Sequence, residues 1–156
     1  MERGRITDRM SYARALRACD VPFVALEMNV DNVRKGRAEG HPAYYGDATS
    51  EEALRHAHVE HARRVVLLMN DPQAALRVVD TLRRVAPNVP VLMRTRYLAD
   101  RATLLALGAR DVVVEEVEGA AEVVSTLLRS VDVPEPTIDE RLRALRSATG
   151  ASAFAT

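Results

Sequence analysis

Between Phe23 and Thr49 the sequence FVALEMNVDNVRKGRAEGHPAYYGDAT sets two short apolar runs on either side of a polar segment of helical length. The first run, Phe23-Val24-Ala25-Leu26, ends in Glu27, and the second, Ala43-Tyr44-Tyr45, ends in Gly46-Asp47-Ala48-Thr49. Two strands joined by a helix run parallel, because the helix returns the chain to the edge from which the first strand started. The pattern predicts a strand over 22–27, a helix over 30–39 and a second strand, with a carboxylate closing the first strand and a Gly-Asp turn closing the second. In open parallel sheets ligands bind beyond the carboxyl ends of the strands, where an acid can accept hydrogen bonds from a ribose. The stretch therefore points to a nucleotide-type site.

The same alternation continues downstream. Arg64–Met69, RVVLLM, is an uninterrupted apolar run of the kind that forms a strand buried on both faces. It ends at Asn70-Asp71-Pro72, where Asp71 is an N-cap and Pro72 takes the first helical position. Ala75, Val78, Val79, Leu82 and Val85 make one stripe of the helix that follows. A strand at Val89–Met93 leads into Arg94-Thr95-Arg96, and a helix over 97–107 that turns Leu98, Ala102, Leu105 and Ala106 inward stops at Gly108. Asp111–Val114 is the last strand, ending in Glu115-Glu116, and a helix over about 118–130 follows it.

At the start, Arg9–Cys19 has helical spacing with Asp8 as a cap, and Thr49-Ser50-Glu51-Glu52 reads as a capping box opening a helix over 50–57. Strands alternating with helices of this length mean a parallel α/β sheet, with Glu27, Gly46-Asp47, Asn70-Asp71, Arg94 to Arg96 and Glu115-Glu116 at one edge. Residues 1–131 form the expected domain. Residues 132–156 read as a linker, a helix over 138–147 and a frayed tail.

Composition narrows the functional classes. The 22 basic and 22 acidic side chains cancel, which argues against a basic nucleic-acid footprint. Cys19 is the single cysteine, so no intramolecular disulfide forms and a cytoplasmic setting is expected. No apolar run approaches the ~20 residues of a membrane span. His56, His58 and His61 are spaced like metal ligands, but they cross a helix end and loop without a cysteine, so no metal is expected. No nucleophile, base and acid fall together in a catalytic pattern, so the chain is not expected to be an enzyme.

YYGDAT, VVLLMNDPQAALRVV, VPVLMRTR and LGARDVVVEEVEGA resemble, in order and spacing, the N-terminal regulator-of-potassium-conductance or TrkA-N domain, in particular the cytosolic domain of Kef-type potassium/proton antiporters. The resemblance covers about residues 21–130. It implies a Rossmann-like, doubly wound parallel sheet that binds NAD(H) or an adenine nucleotide and regulates a membrane potassium transporter or channel subunit, fused or separate. It also implies a homodimer at the inner face of the cell membrane. Carried over by motif, Glu27 takes the ribose-binding acid position, Asp47 and Ala48 the Gly-Asp turn beside the adenine, and Asn70 and Asp71 the border after the fourth strand. Arg94 and Arg96 fall where an anion is bound, such as a phosphate or a glutathione-like carboxylate.

Each candidate also has a purely structural reading. Glu27 can be a solvated acid at a strand end, Asp47 a turn-former, Asp71 a cap, and the arginines partners for Glu115 or Glu116. One feature departs from the family. Gly4 is the sole glycine before Glu27, so the first strand and its glycine-rich phosphate turn are expected to be missing or truncated. The vacant sheet position would be closed by pairing strand 22–27 directly with strand 64–69, or by a segment of a second subunit. Two other functions stay open at this point: an NAD-dependent oxidoreductase remnant, and a ligand-free dimerisation module.

Overall fold

A computed structural model describes residues 9–69 and 71–150. The expected Asp8 cap, the Gly4-Arg5-Ile6 segment, Asn70 and the end of the tail lie outside the described residues. The chain divides into two compact units. One holds the residues up to His61 with Asp80–Pro87, and the other holds Ala62–Val79 with the chain from Asn88 onward.

The first unit contains helix α1 (Arg9–Ala18), strand β1 (Ala25–Glu27), helix α2 (Val30–Ala38), strand β2 (Ala43–Tyr45) and helix α3 (Glu51–His56). β1 and β2 pair in parallel, with Ala25, Leu26 and Glu27 opposite Ala43, Tyr44 and Tyr45. α2 packs closely on β2 because Gly36 carries no side chain: a Cβ there would meet the Cβ of Ala43 at 3.0 Å. The intrinsic helix penalty of a glycine is thus offset by close approach. Gly40, in the left-handed region at φ +78°, follows the end of α2. The α1 side chain Arg14 then grips Glu39 with two hydrogen bonds of 2.9 Å. His41 is buried against the Phe23 ring, with centroids 6.0 Å apart.

The capping at α3 differs from the sequence reading. Ser50, not Thr49, is the N-cap, its hydroxyl accepting from the Ala53 N–H. The Thr49 hydroxyl is drawn to the nearer carboxylate of Asp47 instead. Arg84, on the far end of helix α4 (Pro72–Val85), bonds Glu51 in the first turn of α3 at 2.7 Å. That hydrogen bond holds the Glu51 carboxyl below the usual carboxylate range.

The second unit contains strands β3 (Val65–Leu67), β4 (Val91–Thr95) and β5 (Asp111–Val114), helices α5 (Arg101–Ala106), α6 (Glu115–Ser130) and α7 (Glu135–Ala148), and the start of α4. Its sheet is parallel, ordered β3-β4-β5. Met93, Val112 and Val114 are buried to 2% exposure or less. α5 is preceded by a short 3-10 turn at Leu98–Asp100, which shifts the helical phase. Leu104 is therefore the buried side chain, and Ala102 and Ala106, expected inward, are exposed. Glu115 and Glu116 do not close β5. They open α6, where three acids in the first turn face the positive end of the helix dipole.

The described strands fall into two sheets, β1-β2 and β3-β4-β5. The expected direct pairing of strand 22–27 with strand 64–69 does not occur among the described residues. The ladder of β1 is formed with β2, through Ala25 N–H to Pro42 and Gly46 N–H to the Glu27 carbonyl, while Val65 N–H bonds Pro90 ahead of β4.

α7 begins earlier than the proline-containing stretch suggested, because Pro136 sits in the first turn, where a missing N–H costs no helical bond. Arg129–Glu135 and Arg146–Glu118 ion pairs tie it to α6, and Ile138 is fully buried. Replacing Ile138 with Ala is expected to cost about 2–5 kcal/mol of unfolding free energy in a urea titration. A loss below about 1 kcal/mol, smaller than a buried aliphatic deletion produces, would contradict the docking of α7.

Candidate functional site

Glu27 is the last residue of β1 and half-buried. One carboxylate oxygen accepts the Asn29 N–H at 2.9 Å, and the other accepts the Asn32 side-chain amide at 3.3 Å. Asn29 is itself the N-cap of α2, its side-chain oxygen accepting from Asp31 N–H at 2.9 Å and Asn32 N–H at 3.2 Å. The strand end, the cap and the first helical turn therefore orient one acid. An ionised carboxylate only accepts hydrogen bonds, which suits it to sugar hydroxyls.

β2 delivers the neighbouring turn. Gly46 leaves β2 with its N–H bonded to the Glu27 carbonyl at 3.1 Å. A Cβ at Gly46 would press on Leu26 at 3.3 Å, so the turn runs close to the core. Asp47 accepts the N–H and hydroxyl of Thr49 at 2.8 and 2.7 Å, closing an Asx turn around half-buried Ala48. Glu27, Asp47 and Ala48 thus lie together at the carboxyl edge of the β1-β2 pair.

In the second unit, Asp71 caps α4, accepting the Gln73 N–H at 2.9 Å. Arg94, 14% exposed in its side chain, bonds Glu115 at 2.6 Å. Arg96 is exposed, and its guanidinium lies 5.8 Å over the Tyr97 ring. Glu116 accepts the Leu98 N–H at 3.0 Å. Arg96, Tyr97, Glu115 and Glu116 line an open depression of about 310 Å³. The two arginines, alike in sequence, are thereby separated: Arg94 is a half-buried member of an ion pair and Arg96 a surface cation on an aromatic ring. The three histidines, all in the first unit, form no cluster of metal-ligating groups among the described residues. His56 bonds the Glu52 carbonyl, while His58 and His61 are exposed on either side of Glu60.

Sequence reasoning missed Asn29 and Asn32, which hold the acid. The signal was present, since Asn is among the strongest N-cap residues and Asn29 follows the strand-end acid by two.

Parallel strands that bring an acid and a Gly-Asp turn to one edge, each followed by a helix, define a Rossmann-like α/β domain. The sequence matches the TrkA-N domain family over residues 4–115, and the chain belongs to that family. Among its relatives, a putative K(+) efflux antiporter KefB of Alkalimonas amylolytica is 29% identical over 92% of the chain, and a glutathione-regulated potassium-efflux system protein of Haemophilus influenzae is 29% identical over 92%. The chain spans about a fifth of their length, 21% and 23%.

The TrkA-N domain of the Escherichia coli inner membrane protein ybaL superposes with a TM-score of 0.70 at 29% identity, covering 80% of this chain and 90% of that one. The Shewanella denitrificans Kef CTD in its AMP-bound form gives 0.72 at 19% identity, covering 97% and 91%. The GsuK channel bound to NAD gives 0.66 at 21%, covering 78% and 22%. The last two likenesses show the shared fold.

Asn29→Ala removes the α2 cap and one support of Glu27. It is expected to lower stability by about 1 kcal/mol in chemical denaturation, whereas Asn29→Asp is expected to retain the cap. Equal stability of the alanine variant and the parent would contradict the capping geometry.

Proposed function

We propose that this chain is the ligand-sensing regulatory domain of a potassium efflux system, and that it binds an adenine nucleotide or NAD(H) without transforming it. The observation that carries the reading is Glu27: a strand-end carboxylate oriented by Asn29 and Asn32 next to the Gly46-Asp47 turn. The names of the relatives, both potassium-efflux proteins, support the transport setting, and the AMP and NAD of two structural neighbours support the ligand class.

In this reading Glu27 accepts the ribose hydroxyls, while Asp47 and Ala48 border the base. Asp71, the cap of α4, and its sequence neighbour Asn70 are assigned here as bordering residues. Arg96, exposed on Tyr97, attracts an anionic group such as a phosphate or a glutathione-type carboxylate, and Arg94 supports it through Glu115. The domain acts as a homodimer on the cytosolic face of its membrane partner. A ligand that binds one arrangement of the paired domains better than another shifts the partner's equilibrium by that difference in affinity and by nothing else.

The test is a thermal-shift and calorimetric screen with AMP, ATP, NAD, NADH and glutathione. A nucleotide at a hundred times its Kd is expected to stabilise the native state by about 2.7 kcal/mol, and Glu27→Ala is expected to abolish that gain. No response to any nucleotide would contradict the reading and favour a ligand-free dimerisation module.

A further inference from the structure

The four tyrosines of this chain do not share one role. Tyr44 lies under the Arg37 guanidinium, 5.6 Å from its ring centroid, and Tyr97 lies under Arg96. Tyr12, on α1, is 41% exposed. Tyr45 is the most exposed at 64%, and among the described residues its side chain takes part in no hydrogen bond, ion pair or ring contact. A ring left in water at a strand terminus adds little to the core and has its face open to a ligand.

Its position is specific. Tyr45 is the register partner of Glu27 in the parallel β1-β2 pair, so the two side chains leave the same face of the pleat from neighbouring strands. Paired strands are about 4.8 Å apart, so the ring and the acid start from adjacent backbone positions. Gly46, bonded back to the Glu27 carbonyl, fixes the backbone immediately after Tyr45.

Resting on the assignment of Glu27 to a ribose, we propose that Tyr45 is the stacking platform for the base of the bound nucleotide, so that the site selects ligands in which an aromatic base adjoins a ribose over base-free anions. A purine laid on the ring gains from its π face what a phosphate or a glutathione-like anion cannot, and the tyrosine loses little freedom on binding because it has few rotatable bonds.

The test uses the full chain with AMP and ribose 5-phosphate, measured by calorimetry on the parent, Tyr45→Ala, Tyr45→Phe and Glu27→Ala. Tyr45 is exposed, so its variants are expected to keep the parent's circular dichroism and thermal midpoint. The expected result is a loss of about tenfold in AMP affinity for Tyr45→Ala with affinity kept in Tyr45→Phe. Because the chain has no tryptophan, tyrosine emission reports the same event: AMP is expected to quench it in the parent and markedly less in Tyr45→Phe. The discrimination between AMP and ribose 5-phosphate is expected to shrink by the same tenfold factor in Tyr45→Ala. AMP binding that is unchanged in Tyr45→Ala, with Glu27→Ala still defective, overturns the platform and leaves the ribose assignment standing. A parent chain that binds neither ligand overturns both.

Discussion

The hydrogen bond from the Gly46 N–H to the Glu27 carbonyl, 3.1 Å long, sets the register on which the first unit depends. A slip of one residue in a strand pair turns every side chain to the opposite face. Here it would bury Glu27 or Tyr45 and move the Gly-Asp turn away from the acid. The bond also gives the glycine a place: Gly46 passes close to Leu26 on its way to the Glu27 carbonyl, and a Cβ there would sit 3.3 Å from the Leu26 side chain. The acid, the ring and the turn are therefore consequences of one backbone contact, reinforced by the Asn29 cap from the other side of β1.

The balanced charge of the sequence acquires a structural meaning in the ion pairs. Arg14, Arg64, Arg84, Arg94, Arg129 and Arg146 each meet a carboxylate within 2.9 Å. Arg64 reaches Asp111 at the head of β5, and Arg146 and Arg129 fasten the two last helices. Most of these pairs are solvent-exposed and contribute individually little to stability. Their effect is on position: of the two arginines at the end of β4, Arg94 is committed to Glu115 and Arg96 lies exposed on Tyr97.

Much of the fold was legible in the sequence because its signals were local. Apolar runs marked the five described strands, Gly108 marked a helix end, and Asp71-Pro72 marked the start of α4. The readings that failed depended on competition between neighbours. Thr49 and Ser50 both offer a hydroxyl to α3, and only the proximity of Asp47 decides between them. A 3-10 turn before α5 rotated its face without changing its composition. Glu115 and Glu116 look the same as a strand end or a helix start. For the proposed site residues the sequence left roles open: both arginines could pair with Glu115 or Glu116, and only tertiary placement commits Arg94 to Glu115 and leaves Tyr45 exposed.

The central claim is that Glu27 receives a ribose hydroxyl, and the ligand can be altered to test it. Comparing AMP with 2′-deoxy-AMP by calorimetry, in the parent and in Glu27→Ala, isolates that one contact. The account predicts a clear preference for AMP in the parent, of the order of tenfold for a hydrogen bond to a charged group, and no preference in the variant. Equal binding of the two nucleotides by the parent would contradict it.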